Sequence, residues 1–234
     1  MLQPDTIITV TETSLLRLLQ ISGTTFPVGG FSHSYGLETY IDQGRVTNAQ
    51  DLEIFIHSML NASLGRVDTP AAALAWQTSP SQIEELDILV SALKPAKELR
   101  DSAERMGRAF LRIFSEMYPD SPQKKYLDGL KDSEMPANYP VMFGWACGYL
   151  HFDRQLTALS YLFSSVNALV QAGIKLIPLG QSEGQKLIQR LYPQLILCTH
   201  RAVSASPKEL YCFSPAFDIS AMIHEDLYAR LYMS

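Results

Sequence analysis

Apolar residues recur at helical spacing along most of this chain. The clearest run spans residues 156–173, and shorter stripes occupy residues 15–19, 52–60 and 83–93. The main stripe consists of Leu156, Leu159, Phe163, Val166, Val170 and Gly173, widened by Leu162 and Leu169. Because residues three and four apart share one face of an α-helix, this spacing predicts amphipathic helices with broad buried faces.

Signals for β-strands are scarce. No alternation of apolar and polar residues lasts longer than about five residues, and no Asn-Gly or Asp-Gly hairpin turn occurs. We therefore predict an all-α fold, a single-domain bundle of about ten helices over residues 1–234. The N-terminal segment and the tail at about 218–234 are expected to depend on partners for their order.

Helix starts are marked by hydroxyl residues before proline, as at Ser121-Pro122 and Ser206-Pro207. Three pairs have the spacing of a capping box. They are Thr47/Gln50, Ser81/Glu84 and Ser206/Glu209. The polar, proline-rich segment 116–140 is predicted to hold the longest irregular connection.

Composition and net charge favour a globular protein and argue against some classes of function. Hydrophobic residues make up 47% of the 234 residues and charged residues 18%, so a sizeable core is expected. The net charge of −5 and the lack of a dense basic run argue against nucleic-acid binding. Three widely spaced cysteines, and an N-terminus that does not resemble a signal peptide, favour reduced thiols in a cytoplasmic protein.

One uncharged stretch, residues 155–174, is long enough to be compared with a membrane span. It contains seven Ser, Thr, Asn and Gln residues, whereas a lipid-spanning helix is predominantly apolar. We interpret it as a helix buried inside the bundle, and expect no membrane association.

The segment PVGGFSHSYGLE, residues 27–38, is the most unusual in the chain. It lacks the spacing of a Walker phosphate loop, of a dinucleotide fingerprint and of a GxSxG nucleophile turn. Its glycines fit a turn between helices, with Ser34 available to cap the next helix and Glu38 in that helix's first turn.

The five histidines do not pair with one another, or with cysteine, at metal-ligand spacing. We therefore expect no metal site, no cofactor and no catalytic centre. The tail carries an apolar stripe on an amphipathic helix, which is expected to dock either on the core or on a partner. Its members are Ile219, Met222, Ile223, Leu227 and Leu231, with Tyr228 beside them.

Three segments together resemble the UreF family of urease accessory proteins. They are LLRLLQISGTTFPVGGFSHSYGLETYI (15–41), KLIPLGQSEGQ (175–185) and DISAMIHEDLYARLYMS (218–234). The order and separation of these segments also match, whereas residues 65–140 carry no recognisable motif. His33, Glu183 and Ile223 depart from the family's usual residues, which leaves fine partner specificity open.

The resemblance implies a scaffold without enzymatic activity that acts in the maturation of urease, a nickel enzyme. Such a chaperone binds the accessory protein UreD (also called UreH), dimerises and recruits the GTPase UreG. The complex then engages apo-urease for nickel insertion.

Residue by residue, the resemblance assigns partner contacts to two groups of positions. Tyr40 and Arg230 are expected to organise the UreD and UreG surfaces, and Glu38 and Lys175 to touch the GTPase. The remaining expected contacts are the tail residues His224, Glu225 and Tyr228.

Two alternatives belong to other classes of function. A small helical enzyme could use the Ser32-His33-Ser34 region, although no companion acid is identifiable in the sequence. A direct nickel carrier would bind the metal on the isolated chain.

Overall fold

The computed structural model describes residues 11–30, 34–130, 135–224 and 231–232. Eleven α-helices lie within these ranges, together with a π-helical turn at Leu64–Asp68 and a 3-10 turn at Pro207–Glu209. The α-helices are α1 (Glu12–Ser22), α2 (Leu37–Asp42), α3 (Ala49–Asn61), α4 (Thr69–Ala75), α5 (Ile83–Ala92), α6 (Lys97–Met117), α7 (Pro122–Gly129), α8 (Tyr139–Tyr149), α9 (Arg154–Leu176), α10 (Gln181–Ser204) and α11 (Pro215–His224). No strand occurs in the described ranges, and the predicted all-α bundle is confirmed.

The short helix α4 forms the centre of the bundle. All seven of its residues are buried, and it contacts α8, α9 and α10. Four of the seven are alanine, so neighbouring helices approach its backbone closely. A β-carbon added at Gly144 or Gly148 of α8 would lie 2.1 Å from the carbonyl oxygen of Ala72 or Trp76. Both glycines are therefore required by the close packing of α8 on α4 and the residue after it.

The long helix α9 confirms the main apolar stripe in part. Leu162, Val166, Leu169 and Val170 are fully buried, but Phe163 is 40% exposed. The stripe on α1 divides in the same way, because Leu18 is buried while Leu15 and Leu19 face outward. Sequence periodicity identified these helices correctly but could not show that one side of each apolar band faces away from the core.

Four of the sequence signals for helix starts lie on described residues. Ser121 caps α7 ahead of Pro122, and Ser206 with Glu209 forms a capping box on the 3-10 turn. The other two boxes were wrong. Asn48 caps α3 in place of Thr47, and α5 begins after Gln82 without a side-chain cap.

The described part of segment 116–140, residues 116–130 and 135–140, is more helical than predicted. It contains the end of α6, the whole of α7 and the start of α8. Gln123 of α7 is buried and its amide donates to the carbonyl of Trp145, 3.1 Å away. This tertiary contact, which local composition does not reveal, helps to hold a helix in a polar segment.

The uncharged stretch of residues 155–174 lies within helix α9. Within the part of the chain that the structure describes, no helix combines the length and the apolar character needed to cross a bilayer.

Candidate partner-binding site

Residues 34–40, which include the end of the glycine-rich segment and the start of α2, form a seat for the C-terminal helix α11. Gly36, at the start of α2, has a φ of 80° and is buried. A β-carbon there would lie 3.6 Å from the backbone nitrogen of Ala221 and 3.7 Å from Cβ of Ser220. The positive φ favours glycine, whereas an added β-carbon would make only ordinary van der Waals contact with α11.

Ser34 supports the start of α2, as the sequence predicted, although from two residues before the cap position. Its hydroxyl oxygen accepts the backbone N–H of Glu38 at 3.3 Å, and its side chain is fully buried. Ser32 and His33, the other members of the candidate enzyme site, lie outside the described residues.

Glu38 is the centre of a hydrogen-bonded cluster that joins α2 to the tail. The side chain is buried, and its two carboxylate oxygens accept the backbone N–H groups of Leu231 and Tyr232 at 2.8 and 3.1 Å. Its Oε2 atom also lies 3.0 Å from Nε2 of His224. Glu38 is therefore a buried anchor for the C-terminal segment in this structure.

His224, the last residue of α11, is completely buried between two acids. Its Nδ1 atom lies 2.8 Å from Oε2 of Glu98, which belongs to the first turn of α6. Sequence reasoning missed Glu98 because it lies in the part of the chain without a recognised motif. Only its position in a helical first turn marks it as a residue of interest.

Tyr40 contributes an aromatic contact to the same seat. Its ring lies 5.1 Å from that of Phe55 and 5.8 Å from that of Phe217, while Arg45 covers it at 5.6 Å. Beside it, the hydroxyl of Thr39 donates to the carbonyl of Ser220 at 3.0 Å. Helix α2 thus holds α11 by hydrogen bonds and by ring packing.

Of the remaining predicted partner contacts, Lys175 alone lies among the described residues. Lys175 lies in the last turn of α9 and is exposed. Glu225, Tyr228 and Arg230 lie outside the described residues. The structure therefore brings Glu38, Tyr40 and His224 into one region around α11.

Helix α11 presents its apolar stripe away from the core. The residues that face the seat are the small or polar Ser220, Ala221 and His224. Ile219, Met222 and Ile223, which we call the outer face of α11, are 54%, 46% and 40% exposed. The sequence left open whether this stripe packs on the core or elsewhere. Its described members, Ile219, Met222, Ile223 and Leu231, do not pack on the core.

Two large apolar side chains near α11 in the sequence are also exposed. Phe213, just before α11, is 84% exposed, and Leu231 is 78% exposed. A second apolar surface, separate from α11, is a groove of about 580 Å³ between α1, α9 and α10. It is lined by Leu19, Phe163, Tyr192 and Ile196 among others.

A metal site needs several ligating side chains that converge on one point. Among the residues that the structure describes, no group of three or more His, Cys, Asp or Glu side chains is arranged to hold a metal ion. The cluster at His224 is built from direct hydrogen bonds between its members.

Comparison with known proteins identifies the family. A family model described as UreF matches residues 46–192. The urease accessory protein UreF of Bacillus sp. (strain TB-90) is 33% identical over 225 residues, covering 94% of this chain and 99% of that protein. The proteins of the same name from Nostoc sp. (strain PCC 7120 / SAG 25.82 / UTEX 2576) and Marinomonas sp. (strain MWYL1) are 32% and 34% identical. Each of these alignments covers 97% of this chain and at least 97% of the relative. The chain therefore belongs to the UreF family of urease accessory proteins.

Proposed function

We propose that this protein is a non-enzymatic cytoplasmic scaffold of urease maturation. It binds a UreD-type accessory protein, recruits a UreG-type GTPase and, through that complex, engages apo-urease for nickel insertion. The family supports a role in urease maturation. The individual partners are our proposal. The direct contacts we assign to them are Tyr40, Lys175, Glu225, Tyr228 and Arg230, while the buried Glu38 and His224 act through the tail that they hold.

The observation that carries the proposal is the outward orientation of the apolar stripe on α11. A helix anchored on its polar side, with Ile219, Met222 and Ile223 exposed, is suited to receive the surface of another protein. Exposed methionine and aromatic side chains are favoured at such interfaces. Phe213 lies next to this face along the chain and adds a large apolar side chain.

The direct test is a substitution on the outer face of α11. Ile219→Asp places a charge where the UreD-type partner is expected to bind, and should reduce its recovery in a pull-down at least tenfold, equivalent to about 1.4 kcal/mol. Ile88→Asp on α5 is the matched control, because Ile88 is 49% exposed against 54% for Ile219. Equal loss of binding in both variants, or in neither, would contradict the proposed surface.

The wider role is tested by reconstitution. The protein is combined with UreD-type and UreG-type partners, apo-urease, nickel, bicarbonate and GTP, and urease activity is measured. Activation that requires this protein, and is lost in Ile219→Asp but not in Ile88→Asp, is the expected result. Full activation without the protein would rule out the scaffold role.

Homodimerisation is a further part of the proposal, and the groove between α1, α9 and α10 is our candidate interface. The exposed side chains of Leu15 and Leu16 lie on α1, beside a groove to which Leu19 of the same helix contributes. In a two-fold dimer the same surface of both copies forms the interface. The protruding apolar ridge of one copy can therefore pack into the apolar groove of the other. Ile196→Asp should shift the molar mass in light scattering from dimer to monomer, and Ile88→Asp should not.

The two alternative functions have tests of their own. The enzyme hypothesis predicts turnover by the isolated chain that is lost on His33→Ala. The buried hydroxyl of Ser34, which accepts the N–H of Glu38, instead supports a capping role for that residue. The nickel-carrier hypothesis predicts tight stoichiometric binding to the monomer in equilibrium dialysis.

A further inference from the structure

The two contacts of His224 determine how many protons its hydrogen bonds require. Nε2 lies 3.0 Å from a carboxylate oxygen of Glu38 and Nδ1 lies 2.8 Å from one of Glu98. Both distances are those of hydrogen bonds, and each hydrogen bond needs one proton between its two heavy atoms. A neutral imidazole carries only one N–H, so it cannot supply both.

Glu38 accepts at both of its oxygens. The backbone N–H groups of Leu231 and Tyr232 donate to them, and an ionised carboxylate, which only accepts, suits these donors. The proton between Glu38 and His224 therefore belongs to Nε2 of the imidazole. The second contact, between Nδ1 and Glu98, needs another proton.

We propose that Leu231 and Tyr232 close on α2 with the uptake of one proton, held between Nδ1 of His224 and Oε2 of Glu98. We call this arrangement the proton latch; it comprises Glu38, Glu98, His224 and the backbone N–H groups of Leu231 and Tyr232. The proton either makes His224 an imidazolium or protonates Glu98. The latch is a property of this chain and does not depend on which partners it binds.

The titratable groups around the latch come from α2, α6, α11 and the tail. Among the residues that the structure describes, the charged groups in contact with His224 are the acids Glu38 from α2 and Glu98 from α6. From the tail, the phenol of Tyr232 lies near Glu38, and burial together with that carboxylate raises its pKa. On α11 itself, Asp218 lies within electrostatic range of Lys94.

Loss of the proton has a defined consequence. When it transfers to a base in solution, a lone pair of Nδ1 and a carboxylate oxygen of Glu98 face each other at hydrogen-bonding distance. Because His224 is completely buried, water cannot relieve this contact while the latch stays closed. The end of α11 and the two backbone bonds to Glu38 are then released, so a rise in pH opens the latch.

The test begins with the unmodified full-length protein. Nitrogen NMR of ¹⁵N-histidine-labelled protein reports whether each ring nitrogen of His224 carries a proton, and amide exchange reports the opening of Leu231 and Tyr232. Closure that takes up one proton predicts that amide protection, corrected for intrinsic exchange, falls about tenfold per pH unit once the open state has lost its proton. The range from about pH 5 to about pH 9 covers ordinary histidine titration.

Glu98→Gln is the decisive variant. The glutamine amide can donate to Nδ1 of a neutral imidazole, whose Nε2–H still donates to Glu38, so this latch closes without the extra proton. Protection of Leu231 and Tyr232 should persist and should no longer fall as the pH rises. Glu116→Gln, an exposed acid on the same helix, is the control for the change in charge and should behave as the unmodified protein does.

Each outcome decides the proposal. Protons on both ring nitrogens, or a single N–H with pH-dependent protection in the unmodified protein, support it and assign the proton to His224 or to Glu98 respectively. Flat protection in the unmodified protein overturns it, and so does unchanged pH dependence in a folded Glu98→Gln. Should Glu98→Gln fail to fold by circular dichroism, the measurements on the unmodified protein decide alone.

Discussion

Glu38 and Asp87 are both buried acids, but their neighbours give them different properties. Glu38 accepts from two backbone N–H groups and lies beside His224. Asp87 accepts from the backbone and side-chain nitrogens of Asn138 and from the hydroxyl of Tyr126. Burial nevertheless raises the pKa of Asp87 to about 6, because these hydrogen bonds only partly offset the desolvation of its carboxylate.

The raised pKa of Asp87 predicts a pH-dependent stability. The folded protein holds a proton there more tightly than the unfolded chain does. The associated stabilisation is complete below the ordinary pKa of 3.8 and is lost as pH rises through about 6. The loss is on the order of 3 kcal/mol.

Asp87→Asn keeps the shape of the side chain and removes the titration. We expect its melting temperature, relative to the unmodified protein, to rise as the pH of the measurement is raised from about 4 to about 7. Asp120→Asn, at an exposed position, provides the control in the same series of thermal denaturation curves. A constant difference in melting temperature across this range would contradict the buried titration.

Tyr40 illustrates a residue with both a structural and a proposed binding role. Tyr40→Ala removes the ring contacts to Phe55 and Phe217 and should lower the free energy of unfolding by about 2 kcal/mol. Tyr40→Phe keeps the ring and isolates the hydroxyl. Urea denaturation measures stability, and recovery of the UreD-type partner measures binding. A stable Tyr40→Ala that has lost the partner would assign the ring to the interface rather than to the seat of α11.

At the scale of helices, small residues determine how closely elements pack. Gly144 and Gly148 lie one turn apart on α8 and touch the backbone of α4 and the residue after it. Their spacing is visible in the sequence, and glycines one turn apart on a helix are typical of close packing against a neighbour. The partner helix was not visible, because an alanine-rich segment such as TPAAALA has no amphipathic pattern that would reveal burial on all sides.

Gly144→Ala tests this contact. The added β-carbon would meet the carbonyl oxygen of Ala72 at 2.1 Å, so the two helices must separate, at a cost of about 3 kcal/mol or more in unfolding free energy. Gly129→Ala on α7 is the control, because nothing lies within 4 Å of its β-carbon position. Urea denaturation should show a large loss of stability for the first variant and none for the second. Similar curves for both would show that α8 can move away from α4 without penalty.

At the scale of the whole molecule, two helices near opposite ends of the chain, α2 and α11, are in contact. Helix α2 lies near the N-terminus and α11 near the C-terminus, and their contacts span more than 180 positions, as from Thr39 to Ser220. The bundle around α4 is assembled from other helices. The C-terminal region is thus held at the periphery, where its outer face remains exposed.

Truncation after His224 separates the tail from the bundle. The shortened chain lacks Leu231 and Tyr232, and therefore the two backbone donors to Glu38. We expect the helical circular dichroism spectrum to be nearly unchanged, and recovery of the UreD-type partner to fall at least tenfold. Full partner binding and full urease activation by the truncated chain would show that residues 225–234 are dispensable.

The sequence alone determined the all-α class, because helical periodicity and the lack of strand signals are local properties of the chain. It also determined the family resemblance, which rests on separated motifs in a set order. Tertiary structure decided which side of each apolar stripe is buried, as Phe163 and the outer face of α11 show. It also brought together Glu38, Glu98 and His224, because hydrogen bonds between residues so far apart in the chain exist only once the helices have packed.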